Sequence, residues 1–200
     1  VLSVDDVLNA RDISYPLTLA MCSPIGDGSA AAVIVSEKIA KRLGKNNMVS
    51  VKSSVLRSGW DIGENEPSVT EVVSKEAYEQ AAIGPDDLDV IELHDASSPA
   101  ELMYYESLGL CEKGEGARFI NEGHSKLGGK TPVNPSGGLL RKGHPVGATG
   151  LAQIAELTDQ LRGRAGKRQV DGARTALAEN GGGYIGSHAT LALRYGGRDV

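Results

Sequence analysis

The stretch Gly137–Gly150, read as GGLLRKGHPVGATG, joins a Gly-His-Pro turn to the start of an apolar segment. Apolar side chains then recur at spacings of three and four residues, the period of one helical face, at Leu151, Ile154, Leu157 and Leu161. Pro145 suits the first turn of a helix, because it has no N–H group to leave unpaired. We therefore expect His144 in a tight turn at a helix N-terminus, where free N–H groups and the helix dipole stabilise an oxygen that gains negative charge.

A Gly-His-Pro turn is also often purely structural, and this stretch alone does not separate a catalytic His144 from a turn histidine. The glycines at 138 and 143 have the spacing of a phosphate-binding loop, but His144-Pro145 stands where that loop requires Lys-Ser/Thr. Because the lysine that would hold the phosphates is missing, nucleotide binding is not expected here.

The composition is that of an ordinary globular domain, with 40% hydrophobic and 24% charged residues among 200. A net charge of −5 disfavours nucleic acid or an anionic membrane as a partner, and the chain lacks a run of about 18 apolar residues that would predict a membrane span. The histidines lack the H-x-x-x-H spacing of a metal site. Two isolated cysteines, no signal-peptide pattern and no C-terminal Ser-Lys-Leu favour the cytoplasm. Because the chain opens on Val rather than Met, we expect a piece of a longer protein.

Predicted strands and helices alternate in the order β-α-β-α-β-α, then a long loop, then α-β-β. The strands are placed at 30–35, 49–56, 88–93, 175–178 and 189–194, and the helices at 37–43, 68–82 and 98–108, with a further helix after the Gly-His-Pro turn in the 137–163 element. Ala30–Val35 lacks alternation and is predicted to be buried, and Ser68–Glu71 and Ser98–Glu101 are capping boxes that mark two helix starts. The crossovers need parallel pairing, whereas the last two strands favour an antiparallel pair. We predict a layered α/β domain over residues 26–200, with one mixed sheet and helices on both faces, after a connector over residues 1–25.

Three loops carry the residues that suggest chemistry: His94–Ser97, Gly143–Pro145 and Glu179–Gly186. His94 follows a buried strand and precedes a helix, and open α/β sheets bind their ligands at such strand ends. The three glycines at 181–183 let the backbone approach a ligand or another chain closely. If the loops converge at one edge of the sheet, two imidazoles and a group of backbone N–H donors surround one small volume. That arrangement suits acyl or carbonyl chemistry.

Four stretches make the chain similar to a known family. They are DGSAAAVIVSE at 27–37, GPDDLDVIELHD at 84–95, AELMYYESLGLCEKGEG at 100–116 and NPSGGLLRKGHPVGATGLAQIAELTDQLRGRAGKRQV at 134–170. With them the chain resembles the C-terminal half of a thiolase, most closely the sterol carrier protein X branch. The resemblance implies two similar halves, each a mixed five-stranded sheet, and a homodimer. It also implies that a carbon–carbon bond beside a thioester is formed or cleaved, with acyl-CoA as the substrate and no further cofactor.

The resemblance also implies roles for single residues. His144 matches the histidine of the family's Gly-His-Pro motif, which activates the nucleophilic cysteine and helps to bind the thioester oxygen. His94 and Asp95 match the start of its His-Asp-Cys-Phe motif, whose histidine contributes to the same oxyanion hole. Asp95 is expected to help shape the substrate site. Further substrate-binding positions are expected before the Gly-His-Pro motif and in the glycine loop, at Asn134, Ser136, Gly137, Gly182 and Gly183.

The chain differs from the family at the positions of the family's catalytic cysteines. The nucleophilic cysteine belongs to the N-terminal half. Ala96 stands where the branch has its acid/base cysteine, and no cysteine occurs at 179–181, where other thiolases carry a Cys-x-Gly loop. Tyr184 and Glu179 are available instead, since a phenol can protonate a carbanion, although a tyrosine in a Gly-rich loop is more often a packing residue. Cys22 matches a branch cysteine ahead of a strand and is interpreted as a buried core residue.

Three functions are therefore open. The first is an acyl-CoA thiolase or acyltransferase whose other half lies upstream. The second is a thiolase-like aldolase that splits a β-hydroxyacyl-CoA without a thiol nucleophile, in a branch that often pairs with a small OB-fold, zinc-ribbon protein. The third is a non-catalytic half that serves assembly or acyl-CoA binding. An upstream cysteine at a strand-to-helix turn favours the thiolase, and its absence favours the other two.

Overall fold

The computed structural model describes residues 2–44, 47–63 and 65–182, and the backbone of a strand over residues 187–195. The helices are α1 Val4–Leu8, α2 Glu37–Arg42, α3 Val69–Ala81, α4 Ser98–Ser107, α5 Gly116–Asn121, α6 Gly138–Lys142 and α7 Thr149–Leu161. The strands are β1 Asp12–Ser14, β2 Leu17–Thr18, β3 Val49–Arg57, β4 Val90–Glu92, β5 Thr175–Gly182 and β6 Ser187–Tyr195. Within these ranges, every helix is too short or too polar to cross a bilayer.

Strands β3, β6, β5 and β4 form one mixed sheet, in that spatial order. β4 runs parallel to β5 and pairs Val90 with Ala176, whereas β6 is antiparallel to both of its neighbours. An extended segment continues the sheet beyond β4, because Ile91 N donates to Pro132 O at 3.0 Å and Asn134 N donates to Ile91 O at 2.8 Å. The mixed sheet with a final antiparallel pair is confirmed, and the segment at 132–134 occupies a fifth strand position.

Side chains of β4 and β5 alternate between the two faces of the sheet. Ile91 and Leu177 pack with apolar side chains of α4 and α5 in one core cluster. Val90 and Ala176, one residue earlier on each strand, pack with α7 in a second cluster. A third cluster joins α3 to β3 through Val55. Helices therefore cover both faces of the sheet, as the element order predicted.

The strand predicted at Ala30–Val35 does not form. Within the described ranges, residues 30–35 form neither a strand nor a helix, and Val33 and Ile34 are 91% and 83% exposed. The prediction relied on the β-branched, apolar content of the segment. Such content favours burial but does not identify what the segment packs against. The segment therefore lies outside the sheet.

The helix predicted to start at Pro145 starts later, and a short helix that was not predicted precedes the Gly-His-Pro turn. α6 ends at Lys142 because Gly143 adopts φ 86°, and α7 begins only at Thr149. Between them, Pro145 O accepts hydrogen bonds from Ala148 N at 2.8 Å and Thr149 N at 3.0 Å. Pro145 therefore opens a turn ahead of α7 and does not occupy the first turn of the helix.

Of the two predicted capping boxes, only the first forms a cap. Ser68 Oγ accepts a hydrogen bond from Glu71 N at 3.1 Å at the start of α3. α4 begins at Ser98 itself, and Glu101 instead accepts a hydrogen bond from the Tyr105 hydroxyl. The capping box predicted at Ser98–Glu101 is therefore wrong, because Glu101 bonds to Tyr105, one turn further along α4.

Candidate active site

The rings of His94 and His144 meet edge to face, with centroids 4.8 Å apart and ring planes at 82°. His94 follows β4 at the edge of the buried sheet, and His144 follows the end of α6. The convergence expected of these two loops is confirmed. The third loop was predicted to begin at Glu179, but residues 179–182 instead extend β5, the neighbour of β4, so this part of the prediction is wrong. The predicted residues Gly183 and Tyr184 lie outside the described residues.

A segment ahead of the sheet ties the two histidine loops together through main-chain hydrogen bonds. Ser23 N donates to Ala96 O at 2.9 Å, and His144 N donates to Pro24 O at 2.9 Å. Cys22, at the start of this segment, is half-buried and lies outside the core clusters, so its interpretation as a core residue is wrong. The end of the stretch expected to be a connector therefore forms part of the site.

Asp95 holds the start of α6. Its side chain is 2% exposed, and Oδ1 accepts a hydrogen bond from Leu139 N at 2.7 Å. Oδ2 accepts a longer one from Leu140 N at 3.4 Å. Burial raises the pKa of Asp95, while the bonds from these N–H groups oppose that rise. The carboxylate is thus directed at a helix N-terminus, and its contribution to substrate binding stays a prediction.

The predicted residues before α6 lie on one loop held against the end of β4. Ser136 donates from Oγ to Glu92 at 2.7 Å and from its main-chain N to the same carboxylate at 3.0 Å. Asn134 Oδ1 accepts a hydrogen bond from Leu93 N at 2.8 Å. Gly137 is the N-cap of α6, with φ 98°. All three residues therefore order the approach to α6, and their contacts with a substrate stay predictions.

Glu92 is a fully buried carboxylate that the sequence interpretation missed. Lys142 Nζ lies 3.3 Å from its Oε2. Burial raises the pKa of Glu92, and Lys142 and the hydrogen bonds from Ser136 oppose that rise. The available signal was the charged residue inside the otherwise apolar stretch Leu88–Leu93, since a buried carboxylate needs partners.

Glu179, predicted as an alternative acid or base, lies beneath His94. It is fully buried on β5, and its Oε2 accepts a hydrogen bond from His94 N at 3.2 Å. Its main-chain oxygen accepts another from Gln153 Nε2 at 3.0 Å. These contacts support the main chain at His94. A direct role for Glu179 in proton transfer stays a prediction.

His144 is partly buried, and this burial lowers its pKa below the usual value for histidine. A lowered pKa keeps the imidazole neutral near pH 7, and a neutral imidazole can accept a proton. Its Nδ1 lies 2.7 Å from Thr149 Oγ1. Thr149 was also missed from the sequence, where the available signal was a hydroxyl residue shortly after the histidine and at the start of a helix.

An open cleft of about 440 Å³ lies beside His144, between residues 26–30 and 145–148. A larger cleft of about 760 Å³ is lined by other residues, chiefly from α4, α5 and the start of α3, and does not include either histidine of the pair. Within the described ranges, no three His, Cys, Asp or Glu side chains are grouped so that they could hold a metal ion.

Residues 63–195 match the family described as thiolase C-terminal domain-like. Sterol carrier protein 2 of Oryctolagus cuniculus is 46% identical, over 96% of this chain and 36% of its own length. The benzoylsuccinyl-CoA thiolase subunit BbsB of Thauera aromatica is 43% identical, over 96% of this chain and 51% of its own. An acetyl-CoA acetyltransferase of Methanothermobacter thermautotrophicus is 40% identical, over 94% and 50%.

A solved structure of an Ltp2-ChsH2(DUF35) aldolase superposes with a TM-score of 0.82 over 98% of this chain and 52% of that chain. At 24% sequence identity, this likeness shows a shared fold. The chain spans about half, or less, of the length of the curated relatives it matches. Because the family match extends over more than half of its residues, the chain belongs to the thiolase C-terminal domain-like family.

Proposed function

We propose that this chain is the C-terminal half of a thiolase-like acyltransferase that forms or cleaves a carbon–carbon bond beside an acyl-CoA thioester. The observation that carries the proposal is the edge-to-face contact of His94 and His144 at 4.8 Å. Two imidazoles at that separation can act on one carbonyl group, one moving a proton and the other donating to the oxygen that becomes negative.

The two histidines have different tasks in this proposal. His144, whose pKa is lowered by burial, takes the proton from a cysteine thiol supplied by the N-terminal half. The thiolate adds to the keto carbon of a β-ketoacyl-CoA, and the imidazolium and His94 donate to the resulting alkoxide. The carbon–carbon bond then breaks, the acyl group stays on sulfur, and the acetyl-CoA carbanion takes a proton from an acid/base group that the N-terminal half supplies. A second CoA thiol finally takes the acyl group from the cysteine.

The missing half is part of the proposal. The curated relatives are about two or more times as long as this chain, and the apolar segment Ala30–Val35 lies uncovered on its surface. An exposed apolar stretch of extended backbone is suited to pairing with a sheet in another part of the protein. We propose that the N-terminal half covers this segment and supplies the nucleophile, and that the complete protein is a homodimer.

Retro-aldol cleavage of a β-hydroxyacyl-CoA is the second candidate, and Ala96 is the observation that favours it. It lies two residues after His94, at the position where the resemblance leads us to expect an acid/base thiol. Retro-aldol cleavage needs a base to remove the hydroxyl proton and an acid to protonate the enolate, without a thiol nucleophile. Tyr184 is the proposed acid, and a small OB-fold, zinc-ribbon protein is the proposed partner for acyl-CoA binding.

The test assays the full-length protein on acetoacetyl-CoA with CoA and, separately, on a β-hydroxyacyl-CoA. Wild type and Tyr184→Phe are compared, because the substitution removes only the phenolic hydroxyl. Efficient thiolysis that survives Tyr184→Phe supports the acyltransferase and contradicts the aldolase. Aldehyde or ketone release from the hydroxyacyl substrate, lost in Tyr184→Phe, supports the aldolase. Turnover of neither substrate, with acyl-CoA still bound, indicates the third possibility, a non-catalytic half.

A further inference from the structure

Thr149 is placed to decide which ring nitrogen of His144 carries the proton. It is the first residue of α7 and is 1% exposed. Its Oγ1 makes two contacts, one with His144 Nδ1 at 2.7 Å and one with Pro145 O at 3.2 Å. The hydroxyl is therefore shut off from water and shared between a ring nitrogen and a carbonyl oxygen.

The single hydrogen of the hydroxyl resolves the direction of both bonds. A threonine hydroxyl donates once and accepts through its lone pairs, whereas a carbonyl oxygen only accepts. Pro145 O also accepts from Ala148 N and Thr149 N, so the deciding contact is that of the two oxygens. If the hydrogen pointed at Nδ1, Thr149 Oγ1 and Pro145 O would lie 3.2 Å apart with no hydrogen between them, which is unfavourable inside a buried site. If it points at Pro145 O, then Oγ1 accepts from Nδ1–H, and both contacts are hydrogen bonds.

We propose that Thr149 is a positioning residue that holds neutral His144 as the Nδ1–H tautomer, which leaves the lone pair on Nε2. Nε2 is then the nitrogen that accepts a proton. The catalytic meaning of this assignment rests on the proposed function, whereas the tautomer itself does not. Thr149, at the junction of the turn and α7, thereby affects the reaction without contacting the substrate.

The direction of the Thr149 bond also fixes how it affects the pKa of His144. An acceptor at Nδ1 binds the imidazolium more strongly than the neutral ring, because the hydrogen bond becomes charge-assisted. A donor at Nδ1 binds only the neutral ring. Replacing Thr149 by valine, which has the same shape, should therefore lower the pKa of His144 if the proposal holds and raise it if the bond runs the other way.

The experiment records ¹⁵N and ¹³C histidine spectra of the full-length protein over a pH titration. His144 is assigned through His144→Asn, and wild type is compared with Thr149→Val and Thr149→Ser. We expect wild type and Thr149→Ser to show Nδ1–H at high pH, and Thr149→Val to show a mixed tautomer population and a lower pKa. An Nε2–H tautomer in wild type, or an unchanged or raised pKa in Thr149→Val, overturns the proposal.

Activity measurements separate this proposal from the proposed function. In whichever reaction the full-length protein catalyses, Thr149→Val should lower kcat by about 10-fold or more and shift the acidic limb of the pH profile to lower pH, with recovery in Thr149→Ser. An unchanged kcat beside the expected spectra contradicts the use of Nε2 as the base. Expected spectra in a protein that turns over no acyl-CoA would reject the proposed function and leave the tautomer assignment standing.

Discussion

Lys142 Nζ lies 3.3 Å from Glu92 Oε2, and the two side chains are 27% and 0% exposed. The lysine can be solvated without its partner, whereas the carboxylate depends on partners inside the protein. Since Glu92 also binds Ser136, the pair connects the end of β4 to the segment that leads to His144. Removal of Lys142 should therefore change the stability of the protein through the protonation state of Glu92.

We expect the destabilisation caused by Lys142→Ala to be larger at pH 8 than at pH 5. The pKa of Glu92 is already raised by burial, and removal of the cation raises it further. A carboxyl with a raised folded-state pKa contributes stability below its unfolded pKa and loses that contribution as pH rises through the folded pKa. Urea unfolding of the full-length protein at both pH values measures the difference. Lys130→Ala, which removes an exposed ion pair with Asp86, is the control, and an equal penalty at both pH values for Lys142→Ala contradicts the prediction.

Gly138→Ala should destabilise the protein by on the order of 3 kcal/mol, because two independent penalties coincide. The residue has φ 60°, and an added Cβ would lie 2.2 Å from Asp95 Oδ2. Gly128→Ala is the matched control, since Gly128 has φ 85° but no atom within 4 Å of the added Cβ. The control should cost only about 1 kcal/mol for the backbone strain. Equal melting temperatures for the two variants would show that Asp95 moves aside freely.

His144→Ala should lower kcat of the full-length protein by roughly 10²–10⁴-fold, the usual contribution of a general acid–base group. The thermal midpoint should change little, because the side chain is only partly buried in a turn. His124→Ala offers a control at another partly buried histidine, one that contacts Glu122 and lies away from the paired rings. Wild-type turnover in His144→Ala would remove the catalytic interpretation of the Gly-His-Pro turn.

Val33→Asp should reduce the yield of folded full-length protein, although Val33 is 91% exposed in this chain. A surface substitution usually changes stability by no more than about 0.5 kcal/mol. A charge beneath an interface carries a desolvation penalty, so a large effect would locate the N-terminal half on this segment. Size-exclusion chromatography and thermal unfolding measure the outcome, with Leu127→Asp, on an exposed loop, as the control. Identical behaviour of the two variants argues against a covered Ala30–Val35.

The pairing of the two histidines was predictable because each lies at a recognisable boundary. His94 follows an apolar run predicted to be a buried strand, and His144 lies in a Gly-His-Pro turn ahead of an apolar helix. The two-faced sheet was predictable for a similar reason, since strands covered on both sides show continuous apolar sequence. Local sequence patterns were sufficient to predict the elements that pack against the core of this chain.

Other features depend on contacts that local patterns do not contain. The carboxylate of Glu92 accepts a hydrogen bond from Ser136, 44 residues further along the chain. The sequence around either residue does not predict this contact. Thr149 acquires its contact because the chain turns between α6 and α7, whereas the helix was predicted to begin already at Pro145. Ala30–Val35 has the composition of a core strand, but composition alone does not identify a strand with which it would pair.

The hydrogen bonds that hold the two histidine loops together run through the main chain at Ser23 and Pro24. Amide and carbonyl groups are the same whatever side chain is attached, so this tie tolerates most substitutions at residues 22–25. An insertion or deletion there is different, because it shifts which amide meets which carbonyl. Chain length between Cys22 and Gly26, more than residue identity, is thus what the spacing of the two imidazoles requires.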